Sequence, residues 1–139
     1  MESKLEYYSR LEEDIIRTYR EAEDDETRDA ARMLMNEHRN KMLEWESLDF
    51  YEVYLAYRSI FEDGTEFPDF NSAFNSEKIR SYVRIMKENG IKHFTYSSTW
   101  TNAIKGAWDF EQAGAKLEGL VEINTCYSTK VPALKFTIE

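Results

Sequence analysis

Apolar residues recur at three- and four-residue steps along the start of the chain: Leu5, Tyr8, Leu11, Ile15, Tyr19 and Ala22. That spacing predicts an amphipathic helix over roughly 4–22. Ser3 opens it, and its S-x-x-E spacing to Glu6 lets a hydroxyl and a carboxylate satisfy first-turn N–H groups reciprocally. Glu6 with Arg10 and Glu13 with Arg17 stand at i,i+4 and read as a solvated outer face. Ala31, Leu34, Met35, His38, Met42 and Trp45 fall on one side of a second helix, about 26–46, capped by Asp24 or Asp25. The two helices are expected to pair as a hairpin. Ser47 caps a third helix, whose Phe50, Val53, Tyr54, Tyr57, Ile60 and Phe61 form a broad aromatic face before Gly64 ends it. Residues 64–71 read as a loop and a hinge, since Pro68 favours extended geometry before it and Gly and Asn favour turns. A fourth helix opens at Ser76, buries Ile79, Tyr82, Val83 and Met86, and closes at Asn89-Gly90.

From Ile91 the period changes to two. Phe94 and Tyr96 alternate with His93 and Thr95 in a short strand, and Trp100, Ala103, Ile104, Ala107, Trp108 and Glu111 then step at helical spacing to Gly114. A second strand sets Leu117, Gly119, Val121 and Ile123 on one face against Glu118, Leu120 and Glu122, and a third sets out Leu134, Phe136 and Ile138. The unit is βαββ, with a right-handed crossover and with Trp100 and Trp108 as core of the covering helix. The expected fold is α+β: three to four N-terminal helices packed on a small C-terminal βαββ sheet. It is one domain over 1–139, with an acidic helical part (1–70) and a helix plus βαββ part (71–139).

Composition supports a folded chain: 42% of its 139 residues are hydrophobic and 14% aromatic, with two prolines and five glycines. No apolar run approaches the roughly 18 residues a bilayer crossing needs, and the N-terminus lacks the apolar core of a secretory signal, so a soluble, cytoplasmic protein is expected. Cys126 stands alone, which excludes an intrachain disulfide framework. The net charge of −9 is uneven, −11 over residues 1–70 and +2 over 71–139. Such a balance disfavours nucleic acid and anionic membranes as direct partners and leaves basic proteins open.

The C-terminal third carries Phe94-Thr95-Tyr96-Ser97-Ser98-Thr99-Trp100, then Ala107-Trp108-Asp109-Phe110-Glu111, then Lys116-Leu117-Glu118-Gly119-Leu120-Val121-Glu122-Ile123-Asn124. In these segments the chain resembles an uncharacterised family of small proteins carried on mobile elements of Firmicutes. The resemblance transfers no catalytic residue. It implies a context in which small acidic proteins of phages and conjugative elements act as inhibitors of host defence, CRISPR effectors among them.

Several groups invite chemistry. Ser97, Ser98 and Thr99 lie where a strand runs into a helix and are a candidate anion site, although the turn has neither the glycines nor the lysine of a phosphate loop and reads first as an ordinary cap. His38 and His93 have no second ligand at metal spacing and read as packing or surface residues, and Cys126 reads as a bystander thiol. Glu111, Glu118 and Glu122 read as solvated charges, so no catalytic residue, metal or cofactor is assigned. The remaining candidates are acidic: Glu23, Asp24, Asp25 and Glu26, and, in a loop that interleaves acids with aromatics, Glu62, Asp63, Glu66, Phe67 and Asp69. Aromatic anchors rimmed by charge suit a protein-binding patch.

The sequence therefore points to a non-enzymatic acidic inhibitor from a mobile genetic element. It would occupy a basic, nucleic-acid-binding groove of a host defence protein such as a CRISPR nuclease. The alternatives are a small ligand- or nucleotide-binding module or enzyme using Ser97 to Thr99, and an accessory subunit of conjugation machinery. Aromatic richness makes a homodimer a further candidate.

Overall fold

The computed structural model describes residues 2–72, 76–98, 103–125 and 128–139. The elements run α1 (Lys4–Glu21), α2 (Asp25–Trp45), α3 (Leu48–Glu62), β1 (Asp69–Phe70), α4 (Ser76–Glu88), β2 (His93–Tyr96), α5 (Ala103–Gln112), β3 (Ala115–Ile123) and β4 (Val131–Ile138). The architecture is α+β, with the leading helices N-terminal and the sheet C-terminal. The chain divides into two compact units, 1–51 and 52–139, and the division falls inside α3.

In the first unit the caps are those the sequence carries. The Glu6 N–H donates to Ser3 Oγ (3.1 Å) and the Thr27 N–H to Asp24 Oδ1 (2.7 Å), each satisfying an orphan first-turn donor. α1 and α2 pack as an antiparallel hairpin, with Lys4 beside Glu46 at one end (3.0 Å) and Arg32 donating to the Tyr19 hydroxyl towards the other (3.1 Å). Its core holds Leu5, Tyr8, Ala31, His38 and Met42, the Tyr8 ring standing 5.9 Å from His38 and 5.7 Å from Phe50. On α2 the buried stripe is narrower than expected, for Leu34 and Trp45 are exposed. A hairpin offers each helix one neighbour to bury against, and Ala31, His38 and Met42 already fill that line.

The second unit is built on a four-stranded sheet of order β1-β2-β4-β3. β1 runs parallel to β2, while β4 is antiparallel to both β2 and β3, so β2 and β3 run the same way with β4 inserted between them. The expected βαββ unit is present, and β1 is an addition. The segment read as a loop contributes Asp69 and Phe70 to the sheet, opposite Thr95 and Tyr96. Two residues are too few to show a period of two.

One face of the sheet is aromatic. Phe94 stacks on Phe136 (5.1 Å between centroids), and Phe110 of α5 packs on both, with Phe70 stacked on Tyr82 of α4 alongside. Phe110, fully buried, lies on the side of α5 that also carries Gly106 and Asp109. Trp108 therefore points away from the core and is 64% exposed, and Ile104 is 87% exposed, which corrects the assignment of that stripe to the core. Trp100 lies outside the described residues. A ten-residue helix with aromatic side chains on both sides buries the side whose ring meets the sheet, a tertiary choice that helical spacing does not encode.

β3 also departs from the expected alternation of faces. Leu117 pairs with Phe136 but Gly119 pairs with Lys135, so Glu118 is an extra residue, a β-bulge. Beyond it every side chain changes face. Gly119, Val121 and Ile123 share the face of Lys135, Ala133 and Val131, not that of Leu117 and Phe136.

Candidate functional site

The other face of the sheet is polar. Cross-strand register places Asp69, Thr95, Lys135 and Gly119 in one row across all four strands, and His93 beside Thr137 in the next. Thr95 Oγ1 donates to Asp69 Oδ1 and Ser97 Oγ to Asp69 Oδ2, both at 2.7 Å. The parallel β1–β2 ladder sets this geometry, since the Thr95 and Ser97 N–H groups donate to the Pro68 and Phe70 carbonyls. Burial pushes the Asp69 carboxyl above its ordinary value. The two hydroxyls pull it the other way, and the charge of Asp63 adds to the rise.

Lys135 pairs with Glu118 (3.1 Å), and its ammonium stands 5.0 Å from the Phe67 ring centre, while that ring also packs against His93 (5.2 Å). Glu118 accepts from the Thr137 hydroxyl as well, and these contacts hold its carboxyl below the usual range. A pocket of about 310 Å³ opens on this face between the 64–67 loop and the end of β3, with Thr65, Phe67, Thr95, Val121 and Lys135 in its lining. The bulge turns Val121 towards it, and nothing in the sequence period signals that wall. Thr65 and Thr95 spend their hydroxyl protons on the Phe67 carbonyl and on Asp69, and Lys135 is charge-paired. Glu66 and Glu122 add two carboxylates to the lining.

The acidic candidates separate into different environments. Asp24 caps α2, and the Thr27 N–H holds its carboxyl below the usual range, while Asp25 pairs with Arg28 at 2.9 Å. Glu23 and Glu26 are exposed and have no ion pair among the described residues. In the 62–70 segment, Glu62 pairs with the buried Arg58 (3.7 Å), Asp63 is half-buried, Glu66 is exposed, Phe67 is half-buried beside Lys135, and Asp69 accepts from two hydroxyls. The segment is thus partly sheet and partly pocket wall, and only some of its acids face solvent.

At the candidate anion site, the Ser97 hydroxyl is already donated to a carboxylate, so an incoming phosphate would meet negative charge. Ser98 is half-buried, and Thr99 lies outside the described residues, as does Cys126. Among the described residues no group of three His, Cys, Asp or Glu side chains could hold a metal ion, and no helix is long and apolar enough to cross a membrane.

A mixed four-stranded sheet with one aromatic face under helices and one polar face with a pocket defines the second unit as a compact α+β domain. The chain belongs to a family described as a domain of unknown function (DUF7698), whose model matches residues 52–138. The match begins where the second unit begins. No curated protein and no solved structure matches the chain significantly.

Proposed function

We propose that the chain is a non-enzymatic, acidic inhibitor that binds a basic protein and occupies the groove in which that partner holds nucleic acid. In its sharpest form the partner is a host defence protein such as a CRISPR nuclease, and the chain comes from a mobile element. The observation that carries the reading is the placement of charge. Residues 1–51 hold 15 acidic against 8 basic residues, a net −7, whereas 52–139 hold 12 against 10, a net −2. Within the first unit the excess gathers at the turn between α1 and α2, where Glu23 and Glu26 are exposed without a counter-charge among the described residues. Exposed, unpaired carboxylates steer association with a positive surface.

Asp24 and Asp25 have structural duties, so the test variant is Glu23→Lys with Glu26→Lys, which reverses the potential and leaves the α2 cap in place. Capture from a host lysate is expected to retain a basic protein after nuclease treatment, to weaken steeply with salt, and to be lost in the double variant. Capture unaffected by the reversal would remove this turn as the binding surface.

A further inference from the structure

One i,i+4 ridge of α2 carries Met33, Glu37, Lys41 and Trp45 and winds through about 120° around the helix from its first residue to its last. The ridge is about 18 Å long. Met33 is 71% and Trp45 63% exposed, and the side chains of Glu37 and Lys41 are about half-exposed. Within the helix, Lys41 pairs with Glu37 (3.3 Å) and lies 5.9 Å from the Trp45 ring centre, so the ridge is ordered by its own neighbours. The stripe that packs in the hairpin is a different one, Ala31, His38 and Met42, which leaves a methionine and a tryptophan in water.

The order apolar, acid, base, apolar is complementary to its own reverse. When two copies of α2 cross at about −50°, so that their i±4 ridges run along each other in opposite directions about a two-fold axis midway between Glu37 and Lys41, Glu37 of each meets Lys41 of the other, and Met33 of each meets Trp45 of the other. A two-fold interface requires this kind of self-match, since the same patch serves both sides. A parallel pairing would set Glu37 against Glu37 and Lys41 against Lys41.

We infer that this ridge is a docking surface for a second copy of the chain, with α2 crossing α2 so that their Met33–Glu37–Lys41–Trp45 ridges run in opposite directions. The complementary charges fix direction and register, and the burial of Met33 and Trp45 supplies the attraction. The surface is separate from Glu23 and Glu26, so the dimer stands or falls independently of the proposed partner.

Sedimentation of the full chain over a range of concentrations tests it. The wild type is expected to pass from monomer to dimer as concentration rises. Glu37→Lys and Lys41→Glu, each placing like charges across the axis, are expected to weaken the dimer roughly tenfold or more, and Trp45→Ala to do the same. The double exchange Glu37→Lys with Lys41→Glu restores the opposite-charge pairing and is expected to return the dimer to near wild-type strength. Circular dichroism of each variant separates loss of dimer from loss of helix. A chain that stays monomeric at every concentration, or single reversals that dimerise as the wild type does, or a double exchange no better than its parents, would each overturn the inference.

Discussion

Pairing of β1 with β2 carries the Asp69 carboxyl into the sheet, where Thr95 donates to one of its oxygens and Ser97 to the other. Because burial raises its pKa, between the ordinary value and the raised one the folded chain holds a proton that the unfolded chain has already released. Its contribution to stability is therefore full below the ordinary value of 3.8 and is lost as pH rises through the raised one. Asp69→Asn keeps an acceptor for one hydroxyl and a donor for the other while removing the buried charge. It is expected to raise Tm at neutral pH, with the gain vanishing on acidification; a lower Tm at neutral pH would show that the carboxylate itself is needed. In the sequence, set after Glu62, Asp63 and Glu66, Asp69 reads as one more acid of a protein-binding loop, because the hydroxyls that donate to it lie 26 and 28 residues away. Trp108 and Phe110 are the apolar counterpart, since two rings two residues apart on a short helix cannot both face the sheet, and their spacing does not say which one does.

Elements were legible where local chemistry sets them. Ser3, Asp24 and Ser47 carry their own acceptors for first-turn N–H groups, and Gly64 and Gly90 take the positive φ at which α3 and α4 end. The alternation of β2 and β4 was equally plain. β1 was not, because pairing rather than pattern makes it a strand, and the bulge in β3 was not, because apolar alternation continues across it while the face changes. Gly119 follows the bulged residue at φ +152°, and the space where its side chain would stand is open. Gly119→Ala therefore meets no clash and feels backbone strain alone. The expected loss is about 1–3 kcal/mol in a denaturant melt. A neutral result would mean that the bulge relaxes freely.

At the scale of the molecule, the polar and aromatic faces of the sheet, the pocket and the family match all lie within residues 52–138. The aromatic cluster of Phe70, Phe94, Phe110 and Phe136 is complete in that span. A fragment beginning at Ser47, which retains the α3 cap, is expected to melt cooperatively and to show dispersed amide resonances; a disordered spectrum would tie this sheet's stability to the helical hairpin. Charge division was readable from composition, whereas the position of the boundary within α3 was not, because a continuous helix carries no break in its pattern. β3 is the outermost strand on its side, nine residues long, and the Leu117 N–H on its open rim is claimed by Glu111 Oε1 at 2.9 Å. With that rung taken and the next step kinked by Glu118, a stray β-ribbon could pair straight only along Gly119 to Ile123, so the bulge shortens the rim on which an alien strand could grow.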